Sequence, residues 1–125
     1  GIYLTVGEIL QYDPCRAPLR GSEDERQLIE LAKQFDAIRE AWGAPIGGVG
    51  GYRPEEKIID NYHSKGMALD IYPVNDSLSE FSKWLGKRWN GGILLNNKKG
   101  YLHIDIRRGA TFSSRPQQSL KSLAT

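Results

Sequence analysis

Two short alternating runs constrain this chain most. In K-G-M-A-L-D-I, residues 65–71, Met67, Leu69 and Ile71 share one parity, and Gly66, Ala68 and Asp70 the other. In Y-L-H-I-D-I, residues 101–106, Leu102, Ile104 and Ile106 alternate with Tyr101, His103 and Asp105. Successive side chains on a strand point to opposite faces. Each run is therefore predicted to be a strand with one apolar face turned to a core. If the two strands pair over the same core, Asp70 and His103 emerge on the same side.

The rest of the chain supplies the elements to cover that core. Ser22, with Glu25 three residues later, has capping-box spacing, and Glu23, Asp24 and Glu25 load a first helical turn with negative charge. Leu28, Leu31, Ala32, Phe35, Ile38 and Trp42 then recur at steps of three and four, before Gly43 and Pro45 end the helix. A second helix is predicted after Ser77, with Leu78, Phe81, Trp84, Leu85 and Trp89 as its apolar positions and Gly91-Gly92 as its stop. A short helix is predicted over 4–10, from the capping-box pair Thr5 and Glu8. The four glycines of I-G-G-V-G-G-Y-R, residues 46–53, point to a short strand where backbone or ligand approaches closely, with Tyr52 and Arg53 at its end. This is not a phosphate loop: no Gly-Lys-Ser/Thr ending follows. Residues 54–62 are expected to connect. Residues 93–95 and 101–106 read as a hairpin around N-N-K-K-G. One domain over 1–110 is expected, with a loosely held tail over 111–125.

Composition excludes several classes. Of 125 residues, 39% are hydrophobic and 26% charged, which disfavours disorder, and the apolar runs are too short for a membrane span. A net charge of +2 is too mild to imply nucleic acid, though it suits an anionic polymer such as cell wall. Cys15 is the single cysteine, so it forms no internal disulfide; in Y-D-P-C-R-A-P it reads as a loop filler rather than a nucleophile. The opening G-I-Y-L-T-V lacks the basic n-region and cleavage site of a signal peptide, as expected where a leader has been removed.

His63 and His103 are the two histidines of the chain. With Asp70 they make the two-imidazole, one-carboxylate set of an open zinc site, in which a fourth position remains for water. Gly66 and Ala68 leave space beside the acid. Arg53, Tyr101 and Asp105 are candidates for anion binding, proton transfer and ligand orientation. Each residue also has a plainer reading. His63 and Asp70, seven apart, can be an ion pair on one helix face, Asp105 a partner of Arg107 or Arg108, and Arg53 structural. Both histidines together, with matched strand alternation, favour the metal site.

At these residues the sequence resembles a known family. The order G-Y-R at 51–53, H-x-x-G-x-A-x-D at 63–70, and then His103 is similar to the zinc D-alanyl-D-alanine carboxypeptidases. Their relatives include vancomycin-resistance D,D-dipeptidases, phage L-alanyl-D-glutamate endolysins and the Hedgehog signalling domain. The resemblance covers residues 4–107. It implies a small α+β domain, a central antiparallel sheet packed against helices. It also implies Zn2+ held by His63, Asp70 and His103, with Arg53 on the substrate carbonyl or carboxylate. The implied reaction is hydrolysis of a peptide bond in peptidoglycan stem peptides, by a monomer working outside the cytoplasm or derived from a phage. Three departures stand out. Asn61 replaces a serine that many relatives carry two residues before the first histidine. The link from Arg53 to His63 is short. The positions that carry a base in several relatives hold Tyr101 and the Asn96-Asn97 pair, and an amide is no general base. Asp105, on the His103 face, is then the candidate base or an acid that orients or supports. A non-catalytic module that keeps the metal, and a metal-free interaction domain, are the competing expectations.

Overall fold

The longest element forms where capping and periodicity agree. In the computed structural model, which describes residues 9–10, 14–56 and 61–116, helix α1 spans Glu23–Trp42. Ser22 Oγ accepts from the Glu25 N–H at 3.2 Å, and Gly43 closes the helix at φ 76°, a left-handed conformation that glycine adopts without a Cβ clash. Leu28, Leu31, Ala32, Phe35 and Ile38 are its buried stripe. Helix α2, Leu78–Gly86, is capped in the same way by Ser77 and buries Phe81 and Leu85.

Four strands, β1 (Ile46–Gly50), β2 (Ala68–Pro73), β3 (Gly92–Asn96) and β4 (Tyr101–Asp105), form one sheet in the order β1-β2-β4-β3, with every neighbouring pair antiparallel. The fold class is thus α+β: among the described residues, helices α1 and α2 accompany a four-stranded antiparallel sheet. Leu69, Ile71, Leu102 and Ile104 join the α1 and α2 stripes in one core. The register pairs Asp70 with His103 and His103 with Leu94, so the other face of the sheet gathers the polar residues. A bulge at Val49 shifts β1 so that Gly48 faces Ile71 and Gly50 faces Asp70.

Several boundaries differ from the sequence expectation. The first site strand begins at Ala68 rather than at 65, because His63–Lys65 form a 3-10 turn that Gly66 closes at φ 74°. Gly66 therefore serves the turn and not the strand face. Helix α2 stops at Gly86, before Trp89. Trp89 instead bridges to Phe112 and donates its indole N–H to the Gly92 carbonyl at 3.0 Å. Residues 111–113 are tied to the domain by their backbone donors. The Thr111 N–H donates to Asn90 Oδ1, the Phe112 N–H to Gln34 Oε1, and the Ser113 N–H to the Arg88 carbonyl, each at 2.8 Å. Phe112 also packs on Trp84. Most of the helix expected over 4–10, part of the connector at 57–60 and the tail from 117 lie outside the described residues; Ile9 and Leu10 are buried.

Candidate metal centre

His63, Asp70 and His103 meet on the polar face of the sheet. Each offers a ligand atom, and the three atoms lie within 4.8 Å of one another. Asp70 Oδ1 is the meeting point: His63 Nε2 is 3.2 Å away and His103 Nδ1 3.0 Å. The second nitrogen of each ring is already committed. His63 Nδ1 lies 2.8 Å from the Gly51 carbonyl oxygen. A carbonyl only accepts, so Nδ1 carries the proton and Nε2 turns to Asp70. His103 Nε2 lies 3.0 Å from Asp105 Oδ2, which leaves Nδ1 for the centre. A carbonyl and a carboxylate behind two imidazoles is the outer-shell arrangement of metal sites. The donor set fits a divalent metal: two nitrogens and one oxygen that converge, each fixed in direction.

Local structure explains this convergence. The segment just after β1 grips His63 twice, by its ring through Gly51 and by its carbonyl, which accepts from the Arg53 N–H at 3.0 Å. Asn61 caps the turn that carries His63: its side-chain oxygen accepts from the Ser64 N–H at 2.9 Å, and its carbonyl from the Ser64 hydroxyl at 2.7 Å. Gly50 is needed for space, since a Cβ there would come within 2.9 Å of Asp70 Oδ2. Asp70 and His103 need no special turn; the sheet register alone sets them opposite each other.

Electrostatics follow from the same contacts. Burial would raise the Asp70 pKa, but its contacts with His103 and His63 outweigh it and bring it down to about 2. Burial would lower the His103 pKa; its bonds to Asp70 and Asp105 outweigh that, and its pKa rises above the ordinary imidazole value. A proton taken up on His103 Nδ1 would face Asp70, where a metal cation would be held.

The other candidates separate clearly. Arg53 lines the cleft with its Nη2 3.4 Å from Asp70 Oδ2. Tyr101 also lines it, and its hydroxyl oxygen accepts from Asn96 Nδ2 at 3.3 Å, which leaves its own proton to donate. Asp105 is fully buried. Its Oδ1 accepts from the Gly92 N–H at 3.2 Å, the Arg107 N–H at 3.2 Å and Arg107 Nε at 2.6 Å. Its Oδ2 accepts from His103 Nε2 at 3.0 Å and Arg107 Nη2 at 2.7 Å. A carboxylate has about four lone-pair sites, so little of Asp105 is left to take a proton from substrate. Burial would raise its pKa, but the bonds from Arg107 and His103 hold it below the usual range. This geometry suits an orienting acid. Gly92 makes room for it, because a Cβ at that position would land on the Asp105 carboxylate.

The sequence model of the family described as peptidase M15 matches residues 3–105. The chain belongs to the peptidase M15 family. No curated protein and no solved structure matches it. In this M15 chain the cleft beside His63, Asp70 and His103 has a volume of about 510 Å3, with Leu94 on its wall. Membership also agrees with a metallopeptidase chemistry, for which the His-Asp-His group can hold the metal. Among the described residues, no helix is long and apolar enough to cross a membrane.

Sequence reasoning missed three parts of the site. The Gly51 carbonyl is backbone and carries no sequence signal. Arg107 was visible only as one possible partner of Asp105. Gly92 read as a helix stop, although a glycine opening a strand is a known sign of close approach.

Proposed function

We propose that this M15 chain is a zinc-dependent hydrolase of peptide bonds in bacterial cell-wall stem peptides, of the D,D-carboxypeptidase or endopeptidase type. The observation that carries the reading is the convergence of His63 Nε2, Asp70 Oδ1 and His103 Nδ1, with both imidazoles oriented from behind. Two imidazoles and a carboxylate suit zinc and leave a coordination position open. When bound there, zinc would polarise the scissile carbonyl and acidify water.

The chain's own residues supply the rest. Arg53, on the cleft wall beside Asp70, binds the substrate carbonyl or carboxylate. Tyr101 donates its hydroxyl proton to the reacting group. Asp105 keeps the proton of His103 on Nε2, so Nδ1 stays a lone-pair donor. The protein acts as a monomer in the cell envelope or after secretion, or as a phage product.

One observation favours a second reading, a non-catalytic module that binds metal and wall. Among the described residues lining the cleft, no carboxylate or imidazole remains beyond the three ligands. Incubation of purified peptidoglycan and D-Ala-D-Ala peptides with wild type and with Asp70→Ala separates the two. Product from wild type and none from the variant supports hydrolysis. Zinc bound at one per chain, with no product above the variant across neutral pH, would instead establish the module.

A further inference from the structure

We propose that Arg107 is a specificity-determining residue that receives a carboxylate of the peptide substrate. The proposal rests on the peptidase reading and names a recognition element for that same site.

Arg107 lines the cleft that contains His63, Asp70 and His103. Its guanidinium is held in one orientation by two independent contacts. Nε and Nη2 fork onto Asp105 at 2.6 and 2.7 Å, and the group lies over the Tyr62 ring, 4.6 Å from its centre. A guanidinium has five N–H donors in a rigid plane. The fork uses the Nε–Nη2 edge, and among the described residues Nη1 makes no hydrogen bond. The side chain is 42% exposed.

The cleft thus carries a guanidinium whose direction is set before any ligand arrives and whose remaining donors are uncommitted. Such preorganisation removes most of the ordering cost of binding. Guanidinium N–H groups match the planar geometry of a carboxylate. The charge of the cleft agrees. Arg53 and Arg107 line it, and its lining carboxylate, Asp70, is turned to the two histidines. Leu94, 68% exposed on the same wall, adds an apolar surface for the carbon skeleton next to that group. A peptide carboxylate has two sources, a free C-terminus or an acidic residue inside the stem.

The test is a titration of zinc-loaded protein with paired peptides. One pair is diacetyl-L-Lys-D-Ala-D-Ala and its C-terminal amide. The other is C-terminally amidated L-Ala-γ-D-Glu-L-Lys and its D-isoglutamine counterpart. Where turnover occurs, the ratio of kcat/KM within each pair is read instead of the affinity ratio. The expected result is a preference for the carboxylate member of at least one pair, by about tenfold to a hundredfold. The pair that shows it identifies the source. In Arg107→Gln that ratio falls by about tenfold, and Arg107→Lys recovers part of it. A purely structural Arg107 would weaken both members alike and leave the ratio intact. An unchanged ratio in both variants, or no carboxylate preference in wild type, overturns the proposal. Because binding is read without hydrolysis, a protein that binds selectively but does not cleave refutes the peptidase reading and leaves this one standing.

Discussion

Replacing Asp105 by asparagine separates an orienting acid from a general base. The side chain keeps its shape but loses its charge, and one oxygen becomes an NH2 group. Oδ1 accepts from three N–H groups, those of Gly92 N, Arg107 N and Arg107 Nε. The amide oxygen will stay there, which sets the NH2 group against His103 Nε2–H and Arg107 Nη2. His103 relieves the clash by moving its proton from Nε2 to Nδ1, the nitrogen that faces Asp70. Zinc must then reverse that tautomer to bind. Loss of such an outer partner costs roughly tenfold to a hundredfold in metal affinity, or about 1.4–2.7 kcal/mol. The fold should suffer less, because Arg107 is 42% exposed and can rehydrate. We expect about 1–2 kcal/mol from the charge-assisted bonds. Competition with a chromophoric chelator gives the affinity, and urea unfolding of the metal-free protein gives the stability. A zinc affinity within about twofold of wild type would refute the reasoning, taking about 0.4 kcal/mol as the smallest meaningful change. If turnover alone were lost, Asp105 would be the base after all.

The remaining predictions concern the fold and its protons. Gly92→Ala forces a methyl group onto the Asp105 carboxylate, so unfolding in urea should show a loss of about 1–3 kcal/mol, with weaker zinc binding as well. Ser22→Ala removes the acceptor for the Glu25 N–H and should cost about 1 kcal/mol in the same assay, with zinc affinity unchanged. The raised pKa of His103 stabilises the metal-free protein fully below the unfolded value of about 6.5, and that contribution disappears as pH rises through the folded value. Zinc binding requires the opposite, a deprotonated Nδ1, so zinc affinity should rise over the same window while this part of metal-free stability falls; thermal melts with and without zinc between pH 6 and 9 check both signs. The depressed Asp70 pKa, about 2, contributes stability that is present above its unfolded value and is lost as pH falls through about 2; Asp70→Asn should flatten the acid limb of the metal-free unfolding curve.

Most of the fold was legible where local signals and tertiary needs agreed. Helix α1 has a cap, an acidic first turn and an unbroken apolar stripe, and it forms where those place it. The alternation around Asp70 and His103 set both on one face, and the register confirms the pairing. Boundaries shifted where a residue had two uses. Gly66 fits a strand or a left-handed turn, and only the need to fold His63 back over the sheet decides between them. Trp89 has helical spacing from Leu85, but its indole donates to the Gly92 carbonyl and its backbone bridges to Phe112. The candidate site was legible as a group of side chains and not as a network. The grip of Gly51 on His63 is a backbone contact, and the burial of Asp105 depends on the room at Gly92 and on the Arg107 fork. Asn61 read as a departure from the family, yet it caps the turn that presents His63.

The proposed zinc chemistry requires that His63, Asp70 and His103 hold the metal together. X-ray absorption at the zinc edge, on protein reconstituted with zinc and dialysed, tests it most directly when run beside His103→Ala. One zinc per chain is expected, with a first shell of nitrogen and oxygen that shows imidazole scattering, and most of the metal should be lost in the variant. A content well below one per chain in wild type, or an unchanged content and shell in His103→Ala, would contradict it.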